Sequence, residues 1–367
     1  MYLHHLDSSD FSLKEFCFIS RARNKFLGAQ GKFRDVIDAL RTVYWFHGLR
    51  IRTQANKLYQ MEKQLEPEAF GESRNGVRYR RNKWCHYHIG RHTPSRPFVT
   101  KIGERYEGSE LEFDHVLWDV LRLEHPAIQH VGGWIQRLEP RVQSLLWQKP
   151  EKHSIGRIRQ RTLGQRQLKL LERYASIDAL ACLTLLLREA YEMGNDSYAF
   201  ELSRWICRML VLTGKIISGY GIARPLHEFY EFVILPLGAR SGLRYSLAGV
   251  SYRESIGWLS HALYHLDGVH LSKLSREQIQ RFEQKILSGD YGFDYFFLLN
   301  PILIPVDLSL ASENPLHQLW MAQNNLRLWT LKEIRNYKQT LYPPEDLLSA
   351  EAAARRAVDQ YQKLGQR

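Results

Sequence analysis

Cysteine is scarce in this 367-residue chain: Cys17, Cys85, Cys182 and Cys207 are scattered, with no CxxC pair among them. That usage argues against a disulfide framework, and Cys182 and Cys207 sit in apolar stretches where a free thiol packs as a small hydrophobe. A reducing cytoplasm is the expected setting. No run of 18 apolar residues occurs. The nearest approach, residues 295–310, is interrupted by Asn300, Pro301, Pro305 and Asp307 and reads as a buried loop or short strand, so no membrane partner is expected. The N-terminal residues MYLHHLDSSDFSLKEF lack the charged and apolar regions of a signal peptide.

Chemistry-bearing motifs are equally scarce. There is no Walker A sequence, no GxSxG elbow, and no GxGxxG followed by a strand; GYG at 219–221 and GDYG at 289–292 read as turns. The acids Glu107, Glu110, Glu112 and Asp114 lie close together but lack the lysine that usually accompanies a nuclease site. Asp114-His115 and Glu124-His125 read as ordinary helix-surface pairs. Cys85, His88 and His92 fall at i, i+3 and i+7, but no fourth donor stands at a standard zinc spacing. No catalytic residue, cofactor or metal is assigned, and the chain reads as a binding protein rather than an enzyme.

Positive charge is abundant and unevenly placed. Residues 1–173 carry 31 Lys and Arg against 19 Asp and Glu, whereas residues 174–367 carry 20 of each. A basic region joined to a neutral one suggests a surface built to meet a polyanion, and each phosphate neutralised by Lys or Arg releases counterions. With 44% apolar residues the chain can also bury a substantial core.

Helical spacing dominates that core. Phe33, Val36, Ile37, Leu40, Val43 and Tyr44 recur at three- and four-residue steps, and residues 178–193 are apolar almost all round. Residues 199–213, 254–266, 275–287 and 316–340 also read as helices. Ser275 provides a cap and Gly289 a stop for one of them, and Ser349 can cap a last helix over 352–364. Period-two alternation is rare. The expected class is mainly α, divided into a basic helical region over 1–150, a basic linker over 151–173, and a neutral helical domain over 174–367 that oligomerises, meets a partner protein or senses a ligand.

The densest basic segment is 79–106, YRRNKWCHYHIGRHTPSRPFVTKIGERY. Nine Lys or Arg lie between Arg74 and Arg105, with Glu104 the only nearby acid. The spacing predicts a helix over 81–89 ended by Gly90, then a second helix capped by Thr93 and opened by Pro94. Trp84, Ile89, Phe98, Val99 and Ile102 would form the core between them. Trp84, Gly90, Arg91, Pro94 and Ser95, with the 40–58 segment turning at Gly48-Leu49, resemble the Cro/C1-type (Xre-like) helix-turn-helix family. Cys85 stands where that family has Glu, and two additional residues separate Trp84 from Gly90. The resemblance implies a recognition helix in the major groove of double-stranded DNA, presenting Arg78, Arg80, Arg81, Asn82 and Lys83 to base edges. Arg91, Arg96 and Lys101 would join them. In the linker, Arg157, Arg159 and Arg161 belong to a second basic run, with Lys149, Lys152, Arg166, Lys169 and Arg173, suited to phosphates.

The sequence therefore points to a DNA-binding regulator or a subunit of a DNA-acting complex. A helical hairpin with a solvated basic face is the plainer alternative for 79–106. A scaffold subunit of a nucleoprotein or defence assembly, docking RNA or protein, is the alternative for the whole chain.

Overall fold

The protein is described by a computed structural model covering residues 10–23, 34–55, 57–72, 78–80, 83–148, 158–247, 251–265, 273–336 and 342–365. It is mainly α. Helices carry the structure, and among the described residues the strands form two-stranded pairs.

The chain folds as two units whose boundaries differ from the divisions expected above. One comprises residues 1–122 with 215–229, and the other 123–214 with 230–367. The basic stretch 123–173, with 10 Lys and Arg against 4 acids, thus belongs to the second unit. On sequence alone it divides between the basic region and the linker. The expected linker also contains a helix, Gln165–Tyr174, with Leu168, Leu171 and Glu172 buried.

The first unit is organised around the helix Val36–Thr53, which starts at the side-chain cap of Asp35 and ends at Gln54 in a left-handed conformation. Its inner face meets a cluster of Trp45, Phe46, Leu49, Met61, Leu65, Trp84, Tyr87, Val99, Ile102 and Phe113. Trp84 is fully buried, stacks on Trp45 at a centroid distance of 5.8 Å, and donates its indole N–H to Glu66 at 3.2 Å. This satisfied polar edge lets a large aromatic close the core without stranding a donor.

Several local expectations are corrected here. Gly48-Leu49 is not a turn. It lies inside one continuous helix, where Gly48 provides room that a Cβ would fill at 2.0 Å from Glu112 Oε2. The helix holding Trp84 is short, Lys83–His88, and Arg78–Arg80 form a strand antiparallel to Phe70–Glu72. Gly90 has φ +66° and does end the short helix. The following helix is Arg96–Arg105, with Ser95 rather than Thr93 at its N-cap.

The second unit is built on Ile177–Glu192, with 13 of its 16 residues buried, and on the part of Asp196–Gly219 that belongs to it. Buried hydroxyls are paired: Tyr230 and Thr184 lie 2.9 Å apart, and Tyr252 donates to the carbonyl of Leu210 at 2.6 Å. Tyr252–Tyr264 and Arg276–Ser288 begin with reciprocal capping boxes at Ser251 and Ser275, and Gly289 at φ +82° ends the latter. Within 295–310, the strand Ile302–Pro305 pairs antiparallel with Leu243–Ser246. Pro315–Arg335 and Glu345–Gly365 complete the unit, the last helix starting before Ser349, which lies within it.

Candidate anion-binding cleft

The residues expected to contact DNA separate into three groups. Arg81, Asn82 and Arg157 lie outside the described residues, as do Lys149 and Lys152. Arg78 and Arg80 belong to a strand, so they cannot stand at the N-terminus of a recognition helix.

The remainder mostly face carboxylates. Lys83 pairs with the nearly buried Glu66 at 2.6 Å and lies 3.9 Å from the Phe98 ring centroid. Arg96 is bound to Asp114 and Glu110, and Lys101 to Glu68 at 2.5 Å. Arg159 grips Glu189 with both terminal nitrogens, one at 2.9 Å. Arg161 is exposed and its closest polar partner is the Met193 sulfur at 3.8 Å. Arg91 donates to the carbonyl of Ile19 at 3.4 Å. A cation already neutralised at this range must break its ion pair before it can serve a phosphate. The segment 79–106 therefore offers less free positive charge than its composition suggests.

In the second unit, cations without a carboxylate partner line a cleft of about 910 Å³. Gln165–Tyr174 forms one wall. With Leu168 and Leu171 packed inward, Arg166, Lys169 and Arg173 recur at three- and four-residue steps along an adjoining face and line the opening. Lys285 projects into the same cleft from Arg276–Ser288, and Arg204 enters from Asp196–Gly219. Among the described residues, Arg166, Lys169, Arg173 and Lys285 have no carboxylate within ion-pair distance. Arg355, also on the rim, is held by Glu351.

The floor is a fixed polar network. Buried Glu172 receives Arg208 Nε, while Gln284 donates to its other oxygen at 3.1 Å. Arg208 Nη1 donates to the carbonyl of Leu287 at 2.8 Å and to Asn300 Oδ1 at 2.5 Å. Asn300 in turn donates to the carbonyls of Leu287 and Phe296, at 2.8 and 3.0 Å. Arg327 Nη2 ties the Asn300 carbonyl at 2.5 Å, and burial lowers this guanidinium to about 10. Such closed networks position a site because each partner holds its neighbour in one rotamer.

Aromatic surface accompanies the charge. Trp205, Tyr245, Phe296 and Phe297 line the cleft, the last three half-buried. Tyr245 packs against Phe200 at 4.7 Å, and burial raises its hydroxyl above the ordinary tyrosine range. The cleft thus combines cations at its rim, hydrogen-bonding amides at its floor and flat apolar rings between them.

No protein-family model, curated protein or solved structure matches the chain.

Among the described residues, no three His, Cys, Asp or Glu side chains are gathered to hold a metal, so Cys85, His88 and His92 do not form such a group. No described helix is long and apolar enough to cross a membrane. Arg204, Arg208, Tyr245, Lys285 and Asn300 were not anticipated from sequence, because the half containing them is neutral in sum. The signal available was the 166, 169, 173 spacing, which is helical.

Proposed function

We propose that the protein binds single-stranded nucleic acid in the cleft of its second unit, as the nucleic-acid-holding subunit of a larger assembly. The observation that carries this reading is the row of unpaired cations on Gln165–Tyr174, beside Lys285 of the adjoining helix, at an aromatic-lined cleft. Arg166 and Arg173 are about 10 Å apart along the helix axis. That separation is too great for one phosphate and suits successive phosphates of a strand. Tyr245, Phe296 and Phe297 supply apolar faces for bases, which every nucleotide can use irrespective of sequence. A volume of about 910 Å³ accommodates a few nucleotides of one strand in a concave site. Major-groove docking would instead require a helix presenting the 78–83 residues, and Arg78–Arg80 form a strand.

The test is equilibrium binding of a labelled oligonucleotide, single-stranded and duplex, to the full chain. Single strand should bind more tightly than duplex. Combined Arg166→Ala, Lys169→Ala and Arg173→Ala should weaken it by at least about tenfold. Unchanged binding by this folded variant would remove the cleft as the site.

A further inference from the structure

A second cluster of cations lies in the first unit, and its chemistry differs from that of the cleft. The helix Leu13–Ser20 ends at Arg21 in the left-handed conformation, and the strand after it pairs in parallel with Arg34–Asp35, setting Ala22 opposite Arg34. The short helix Lys83–His88 ends at Gly90, and the Arg91 N–H returns to the His86 carbonyl at 2.7 Å. These turns bring Arg34, His86, Arg91 and His92 together. The His86 and His92 rings stand 4.6 Å apart, edge to face. Arg34 Nη1 donates to Thr93 Oγ1 at 2.5 Å, which fixes the guanidinium.

The rest of that guanidinium is unused. Nε and Nη2 of Arg34 are buried and have no hydrogen-bond partner, and neither has Nδ1 of His86. Nε and Nη2 form the side-on edge of arginine, the edge that delivers two parallel N–H groups to a carboxylate or phosphate. A buried cation with this edge unmet is costly, and burial lowers Arg34 to about 10, Asp38 opposing the shift and Arg41 adding to it.

The nearby acids are engaged elsewhere. Asp38 is held by Arg41 and Arg122, each at 2.8 Å, and Asp35 accepts the Ile37 N–H at 2.6 Å as a helix cap. Cys17 is a buried thiol pushed up to about 11, chiefly by burial and then by Asp35. Burial lowers both His86 and His92. His92, Arg91 and Arg21 depress His86 further, and Arg34, Arg91 and Arg21 depress His92. Every group named around the imidazoles repels a proton, and at Arg34 the attraction of Asp38 is opposed by Arg41.

We propose that Arg34, His86, Arg91 and His92 form a site for a phosphate-class oxyanion, with the Arg34 Nε–Nη2 edge as its bidentate anchor. The tetrahedral anion places two oxygens on that edge and turns the others to the histidines and Arg91. The exposed His92 marks the approach. The shared chemistry is a phosphoryl group, supplied either by free phosphate or by the terminal phosphate of a nucleic-acid strand. The site stands independently of the cleft, since it uses none of the same residues.

The experiment follows the histidine side-chain resonances of the full-length ¹⁵N-histidine-labelled protein during titration with inorganic phosphate. Parallel arms use chloride at matched ionic strength, a 5′-phosphorylated single strand, and the same strand with a 5′-hydroxyl. Saturable shifts of His86 and His92 with phosphate, absent with chloride, are expected. Arg34→Gln should weaken this response by at least about tenfold. Because Arg34 is partly buried, His92→Gln at an exposed position serves as the second variant and should weaken it too, with an unchanged thermal unfolding curve. A response to the phosphorylated strand exceeding that to inorganic phosphate assigns the source to a nucleic-acid end, and a response to inorganic phosphate alone assigns it to the free anion. The cleft variant Lys285→Ala should leave these shifts intact, which separates failure of this site from failure of the cleft. No response to phosphate or to the phosphorylated strand up to about 10 mM, or an equal response to chloride, overturns the proposal.

Discussion

Salt dependence offers a quantitative test of how the cleft holds a strand. Arg166, Lys169, Arg173 and Lys285 face it without carboxylate partners, so each can neutralise one phosphate at no cost of a broken ion pair. On a single strand each such contact contributes about 0.7 to the slope of log affinity against log salt. Four contacts give a slope of about −3, and affinity should fall by roughly 50-fold between about 50 and 200 mM salt. Arg173→Ala and Lys285→Ala, on different helices, should each make the slope shallower by about 0.7 and together by about 1.4. Lys101→Ala is the matched control, because Lys101 already pairs with Glu68 in the first unit. Its slope should remain that of the unaltered protein. Fluorescence anisotropy with a labelled oligonucleotide over a salt series supplies every value. A slope near zero, or an equal change from Lys101→Ala and Arg173→Ala, would refute the assignment of free charge to this cleft.

Three further outcomes concern the framework that positions these residues. Trp84→Ala should cost about 3–5 kcal/mol in denaturant unfolding, since it removes a fully buried indole from the Trp45 stack and one of the two partners of Glu66. Glu172→Gln should cost about 3–5 kcal/mol by leaving buried Arg208 without its counter-ion, and should weaken oligonucleotide binding through loosening of the Asn300 floor. His47 is held neutral, lowered to about 3 chiefly by burial and then by His88 and Arg50. Its unfolded form takes up a proton near pH 6.5, so its contribution to stability is complete above that pH and falls by about 1.4 kcal/mol per unit as pH drops toward 3. His47→Gln should flatten that part of the stability–pH curve, and an unchanged acid limb would show that His47 is not a source of it.

Much of the helical framework was legible because it follows from local rules. Ser275 and Gly289 bound their helix as their types require, and the apolar run at 178–193 gave one buried along most of its length. Trp84, Phe98, Val99 and Ile102 do share a core, as their spacing suggested. The Gly48 turn failed for a tertiary reason: the glycine is needed for the close approach of Glu112, not for a left-handed bend. The availability of the basic residues was hidden for a related reason. A charge census along the chain does not register that Lys83, Arg96, Lys101 and Arg159 meet carboxylates distant in sequence. The converse holds for the neutral half, where acids and bases balance in number while Arg204 and Lys285, from different helices, line one cleft. Pairing partners, not composition, decide which cations remain available.

The central claim is that nucleic acid lies in the cleft of the second unit, and photo-cross-linking of a 5-iodouridine-substituted single strand, mapped by mass spectrometry, tests it most directly. Cross-links should fall on Tyr245, Phe296 or Phe297 and disappear in the combined Arg166→Ala, Lys169→Ala and Arg173→Ala variant. Cross-links confined to residues 79–106, and unaffected by that variant, would contradict the claim.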